Sequence, residues 1–232
     1  MTKTIVVCSG GLDSVTLAYK VAQERTLSGL ISFDYGQRHK KELDYARLCA
    51  DQLKVPHHII DISSVGAALT GSALTDDVAV PDGHYAEDTM KATIVPNRNA
   101  IMMTIAYGIA AAKGASAVAA AVHAGDHFIY PDCRPEFTES FEAMQKCALE
   151  GVAEIEFYTP FVKSSKADIT AEGARLGVPF IDTWSCYKGG DVHCGRCGTC
   201  VERREAFDIA NVEDPTIYKD ADFWRQAVKE AV

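Results

Sequence analysis

The chain has 232 residues, 47% of them hydrophobic and 24% charged, and a formal net charge of −9, enough for one full core and a small appendage. The acid excess disfavours a surface built for a nucleic-acid backbone, which needs clustered Lys and Arg, and leaves room only for a local basic pocket. The opening MTKTIVVCSGG runs from a lysine straight into a strand and a glycine turn, without the apolar core and cleavage site of a secretory leader, so a cytoplasmic protein is expected.

Thr4–Cys8 reads as a strand, and Val15, Leu17, Ala18, Val21 and Ala22 mark one face of a helix over Asp13–Arg25. The stretch between them, CSGGLDS at 8–14, is a strand-to-helix loop. Gly10 and Gly11 let such a backbone turn tightly and expose its N–H groups, and the helix start behind it favours an anion. The loop has no G-x-x-x-x-G-K-[ST] pattern, hence no lysine of its own to follow the β- and γ-phosphates. A second strand, Leu30–Phe33, leads into FDYGQRH (33–39), a helix over Lys40–Leu53 and a third strand, His57–Ile62.

Residues 63–96 are polar and turn-rich; a loop of that length is a lid, an interface segment or disorder. The apolar stretch Ala100–Val122 is broken by Lys113-Gly114 into a helix, Arg98–Gly114, and a strand, Ser116–Val122, so no membrane span is expected. The segment HAGDHFIYPDCR (123–134) follows that strand. A helix over Pro135–Leu149 and a fifth strand within Glu154–Tyr158 come next, and Ser165-Lys166-Ala167-Asp168 has the form of a cap for a helix reaching Leu176-Gly177. Alternating strands and helices predict an α/β fold, a Rossmann-like, mostly parallel sheet with helices on both faces, whose ligands lie beyond the carboxyl ends of the strands. Residues 1–160 form the expected nucleotide-binding part and 161–232 a small C-terminal helical, zinc-binding subdomain.

Four of the eight cysteines fall in CYKGGDVHCGRCGTC (186–200). Cys186, then Cys194-x2-Cys197-x2-Cys200, has the spacing of four thiolates on one tetrahedral Zn²⁺, with His193 as a rival ligand. Such a closed shell holds a fold together and leaves no open position for chemistry. Cys8, Cys49, Cys133 and Cys147 read as ordinary small buried residues.

S-G-G-x-D-S after a first strand resembles the pyrophosphate loop of the adenine-nucleotide α-hydrolases. With FDYGQRH, VPNRN (95–99), YPDCR (130–134) and TWSCYKGG…HCGRCGTCVERR, the chain resembles the 7-cyano-7-deazaguanine synthase family of queuosine biosynthesis from Ile5 to Arg204. The resemblance implies ATP as co-substrate, Mg²⁺, one structural zinc and a homodimer. It implies two activations: adenylation of 7-carboxy-7-deazaguanine and displacement of AMP by ammonia, then adenylation of the amide and its dehydration to the nitrile. It places Ser9, Gly10, Gly11, Leu12, Asp13 and Ser14 on pyrophosphate, and Asp34 on ribose or adenine. Arg98, Lys166 and Arg38 become the cations for the α-phosphate, and Asp126, Asp132 and Arg134 the readers of the nucleobase and its carboxylate. His39, His123 and His127 are candidate proton shuttles, and Tyr35 and Phe128 candidate stacking partners. This chain has Asn97 where members of the family often carry glycine. Other readings are an amide ligase on a different carboxylate, a tRNA thiolase using Cys8 or Cys133 as sulfur relay, or a non-catalytic nucleotide sensor.

Overall fold

The structure, a computed structural model, describes residues 1–230. Five strands, β1 (Lys3–Val7), β2 (Thr26–Asp34), β3 (His57–Asp61), β4 (Ala117–Ala119) and β5 (Glu156–Tyr158), make one parallel sheet in the order β3-β2-β1-β4-β5. The chain winds outward from β1 to β3, then returns to the other side of β1. Strand order therefore reverses between β1 and β4, and a crevice opens above their carboxyl ends.

Period-two alternation along the strands splits the core in two. Ile5, Ile31, Phe33, Val118 and Phe157 face helices α4 (Arg98–Lys113) and α5 (Pro135–Ala148), whereas Val6, Leu30 and Ala119 face α1 (Leu12–Glu24) and α2 (Lys41–Leu53). Helices thus cover both faces, as expected. The second core also takes in Ile169 of α6 (Lys166–Arg175) and Phe207 of α7 (Gly198–Ile209), so the C-terminal segment packs directly on the sheet's helices. Two further helices are a single turn, α3 (Ser63–Gly66), and α8 (Phe223–Glu230). Among the described residues no helix is long and apolar enough to cross a membrane.

Boundaries follow local chemistry. α6 starts on a capping box, Ser165 Oγ taking the Asp168 N–H and the Asp168 carboxylate taking the Ser165 N–H. β2 begins four residues before the apolar run, because Thr26–Gly29 pairs with β1 through a bulge. β4 is shorter than its apolar pattern: Ala120 N–H still donates to Tyr158 O of β5, and Ala120–Val122 wall the crevice.

The polar stretch 63–96 is packed. Ser72, Leu74, Tyr85 and Met90 are buried, and a 3₁₀ turn spans Asp88–Thr93. Gly83 N–H donates to Arg196 O at 3.1 Å, and Asp82 pairs with Lys188 and with Arg196 (3.2 Å). The segment is tied to the cysteine block there, while many of its other backbone N–H groups find partners within the segment, as Ala73 N–H does on Ala92 O at 2.7 Å.

Candidate active site

The loop after β1 folds around Ser14, whose Oγ accepts Ser9 N–H at 3.1 Å and donates to Gly11 O at 3.2 Å. Gly10 has φ +82°, and a Cβ there would lie 2.2 Å from Glu42 O. Only glycine lets the loop press so closely against α2. No side chain caps α1 at Gly11, so its first-turn amides are left for an anion. Trp184 N–H donates to Gly10 O at 2.9 Å, joining this loop to the chain just before Cys186.

A cavity of about 240 Å³ opens from the loop across the β1/β4 crevice, with Ser9, Asp13, Arg98, Asp126 and Lys166 in its walls. At its centre Lys166 Nζ lies 3.0 Å from Asp13 Oδ2 and 2.9 Å from Glu202 Oε2. Burial works against the Lys166 charge, but Asp13 and Glu202 outweigh it and hold the ammonium well above the usual lysine range. Burial likewise opposes ionisation of Asp13, and Lys166 overrides it, keeping that carboxyl low. For Glu202 burial wins over Lys166, and its carboxyl is pushed up.

His123 is 1% exposed and takes the Gly125 N–H on Nδ1 at 3.1 Å. The ring proton therefore sits on Nε2, 3.5 Å from Asp126 Oδ2 and 3.7 Å from Asp13 Oδ2. Asp126 Oδ1 accepts from Tyr85 OH at 2.9 Å. Asp13 Oδ1 is buried and has no hydrogen-bond partner. Three carboxylates around one ammonium leave a surplus of negative charge, and that orphaned oxygen is suited to a divalent cation.

Of the residues singled out from the sequence, Ser9, Gly11, Leu12, Asp13, Ser14, Arg98, Lys166 and Asp126 line the cavity, with Tyr35 below Arg98 (5.7 Å from guanidinium to ring centre). Gly10 shapes the loop from behind. Others lie outside the lining. Asp34 binds Lys40 (2.6 Å) and Gly36 N–H, and Arg38 bonds Asp76 O and Val78 O of the 63–96 segment. Asp132 accepts from Asn99 N–H and its side-chain amide at the start of α4, and Arg134 donates to His127 O. His39 packs beside Gly189, and Phe128 is 76% exposed. Asn97, φ +59°, holds the left-handed turn that starts α4, a conformation glycine takes freely. Cys8 and Cys133 do line the cavity but are buried, and burial drives the Cys133 thiol far above its ordinary range, so it stays protonated.

Sequence reasoning missed Glu42 and Tyr85 as cavity groups, and Glu202 as the carboxylate behind Lys166. Glu202 stands in the quoted CVERR run two residues after a cysteine, where it looks like a surface charge.

The four block cysteines bring their Sγ atoms within 4.8 Å of one another, Cys194 and Cys200 at 3.9 Å. A tetrahedron of thiolates about 2.3 Å from zinc has edges of roughly 3.8 Å, so the donor set fits that ion. Arg196 and Cys197 N–H groups donate to Cys194 Sγ at 3.3 Å, and Cys194 N–H to Cys186 Sγ at 3.4 Å, which favours the thiolate form. His193, the rival ligand, instead accepts Ser185 N–H on Nε2 and stacks on Trp184.

A doubly wound parallel sheet with an uncapped, lysine-free glycine loop at its switch point, faced by a buried lysine and an arginine, defines a Rossmann-like nucleotide-binding enzyme. The chain belongs to the family described as "Queuosine biosynthesis protein QueC", whose model it matches over residues 3–211. It is 68% identical over 228 residues, 98% of each chain, to proteins of Brucella anthropi and Brucella ovis named 7-cyano-7-deazaguanine synthase. Among solved structures, NMN synthetase from Francisella tularensis aligns over 97% of this chain and 84% of its own, at 14% identity and a TM-score of 0.47.

Proposed function

We propose that the chain is an adenylate-forming ligase that converts 7-carboxy-7-deazaguanine, ATP and ammonia to 7-cyano-7-deazaguanine. The observation that carries this reading is the lysine-free loop set across one cavity from Lys166 and Arg98. A loop without its own lysine suits release of pyrophosphate as a leaving group, and cations held across the cavity suit charge growing on the α-phosphate. The names of the 68% identical relatives supply the product, 7-cyano-7-deazaguanine, and the carboxylate is the precursor that the resemblance implies.

In this reading the free amides of Leu12, Asp13 and Ser14 and the hydroxyls of Ser9 and Ser14 hold the departing pyrophosphate. Asp13 Oδ1 would hold Mg²⁺, which supplies charge neutralisation of the phosphates. Lys166, aimed by Asp13 and Glu202, and Arg98, above Tyr35, stabilise the α-phosphate as its P–O bond to pyrophosphate breaks, with Arg38 of the neighbouring segment contributing from outside the cavity. The Asp126 carboxylate, oriented by Tyr85, accepts ring N–H and amino protons of the nucleobase. Asp132 and Arg134 support the same region by fixing the start of α4 and the 127–134 turn, and Asp34 reaches ribose or adenine from the end of β2. Cys186, Cys194, Cys197 and Cys200 would hold one structural zinc ion, whose closed shell supplies no catalysis. Residues 1–160 then form the nucleotide-binding part and 161–232 the metal-bearing part of a cytoplasmic homodimer acting on small molecules, with neither nucleic acid nor membrane as partner.

The test is incubation of the zinc-loaded protein with 7-carboxy-7-deazaguanine, ATP, Mg²⁺ and ammonium, following the nucleobase by mass and pyrophosphate by enzymatic assay. Nitrile formed with release of two pyrophosphates is expected. Pyrophosphate with no nitrile would place the product at an amide, and ATP binding with no turnover would overturn the reading.

A further inference from the structure

One acid in the cavity has no part in the roles above. Glu42 stands in the first turn of α2, directly behind Gly10, and its side chain lines the cavity together with Tyr35 and Arg98. Its setting is fixed by Gln37. Gln37 Oε1 accepts Tyr35 N–H at 2.9 Å, so the amide nitrogen must be turned the other way, donating to Phe33 O at 3.2 Å and to Glu42 Oε1 at 3.0 Å. Glu42 thus has one oxygen held by a neutral donor. Its Oε2 carries no bond and is not among the oxygens sealed from solvent.

The contrast with the acids around Lys166 is informative. Asp13 and Glu202 are each bound to an ammonium, and Asp126 takes a phenol proton and lies near His123. Glu42 is bound only by an amide, and burial pushes its carboxyl up to about 7, with Arg98 and Gln37 pulling less strongly the other way. The charged and titratable groups facing it are Arg98 from α4, Tyr35 from the loop after β2 and Cys8 at the end of β1. Arg98 keeps its charge, and Tyr35, raised to about 12 by burial, keeps its proton at neutral pH. A group at the cavity wall that exchanges a proton near neutrality, with a free oxygen and a locked orientation, has the properties of a general base.

Resting on the adenylation reading, we propose that Glu42 is the base that deprotonates the nitrogen nucleophile. Ammonium gives one proton to Oε2, and the lone pair so released forms the C–N bond at the acyl carbon of the adenylate. The C–O bond to AMP breaks, and AMP leaves with that electron pair and with the proton nitrogen loses on becoming an amide. Glu42 returns its own proton to water before the next cycle.

Hydroxylamine separates this role from others, because it is largely unprotonated at neutral pH and needs no base to become a nucleophile. The experiment compares parent, Glu42→Gln and Glu42→Asp, each supplied with 7-carboxy-7-deazaguanine and ATP and with either ammonium or hydroxylamine, reading amide plus nitrile against hydroxamate. The ratio of the two rates cancels any loss of fold or adenylation common to both. For Glu42→Gln the ammonium-to-hydroxylamine ratio should fall by about 10²–10⁴-fold. Glu42→Asp should recover part of it, and the parent's ammonium rate alone should rise with pH through neutrality. An unchanged ratio, or a variant whose only defect is a higher KM for the carboxylate, would overturn the proposal and make Glu42 a recognition residue. Pyrophosphate exchange by the parent without any amine tests the adenylation reading separately; its absence would defeat that reading, and the proposal with it.

Discussion

Lys166→Met keeps the length of the side chain at the centre of the cavity and removes its charge. In the parent the ammonium lies 3.0 Å from Asp13 and 2.9 Å from Glu202, with its side chain 11% exposed. At an effective dielectric of about 20, each contact is an attraction of roughly 5 kcal/mol, much of it cancelled by the cost of desolvating the lysine. Removing one partner from a buried pair leaves a net loss of about 3–5 kcal/mol, because the carboxylates stay buried without compensation. In a chain of this length each kcal/mol moves Tm by about 2–4 °C, so a fall of roughly 6–20 °C is expected. The loss must also depend on pH. In the parent Lys166 holds the Asp13 carboxyl low, so that group's stabilising contribution is present above its ordinary range and fades only as pH falls through the depressed one. Without the lysine, Asp13 and Glu202 both shift upward, the native state binds more protons than the unfolded chain, and stability drops as pH rises. Thermal unfolding of parent and variant at about pH 5.5 and about pH 8 should show a gap that widens toward alkali. Adding Glu202→Gln should cost less than the sum of the two single changes, with an interaction of about 1–3 kcal/mol. A Tm change under about 2 °C, or a gap that narrows with rising pH, would refute the buried-pair account.

Cys197→Ser, or a strong chelator, should release the metal and with it a term on the order of 10 kcal/mol of apparent folding energy. Because Trp184 N–H is bonded to Gly10 O, ATP affinity should fall along with stability; metal content and nucleotide titration measured together check this, and metal loss with ATP binding intact would sever that link. Gly10→Ala should destabilise by at least about 1–3 kcal/mol and impair ATP binding, since its φ of +82° and the 2.2 Å approach to Glu42 O leave no room for a Cβ. Asn97→Gly should move stability by less than about 1 kcal/mol in urea titration, because asparagine already visits the left-handed region at modest cost.

The strands and helices around the nucleotide loop were legible because their signals are local. The apolar run 4–7 gives way within five residues to helical spacing, and two glycines fill the gap; the cysteine block is legible for the same reason, its spacing mirroring ligand geometry. What stayed hidden depends on contacts distant in sequence. The start of β2, Thr26–Gly29, has a single apolar residue, Leu27, and its bulged pairing with β1 makes it a strand. Residues 63–96 have a loop's composition, yet they are held by Gly83 to Arg196 and Asp82 to Lys188, partners more than a hundred positions away. Arg38, which its motif marks as a cation for the α-phosphate, stands outside the cavity lining with its guanidinium bonded to the carbonyls of Asp76 and Val78, and no local pattern foretells that placement.

Glu202 is the most instructive of the unseen residues. Nothing in V-E-R-R marks it as buried, and no periodicity would, because its burial comes from the packing of α7 on α6, which sets its carboxylate 2.9 Å from Lys166. Cys200 and Glu202 share the opening turns of α7, so the residues that would grip the zinc also set the angle from which Glu202 reaches the lysine. A closed metal shell supplies no Lewis acid to the reaction. In the proposed reading such a shell would act on the chemistry through this helix, by fixing the direction of the Lys166 ammonium that faces the glycine loop, and through Trp184, by fixing the loop itself.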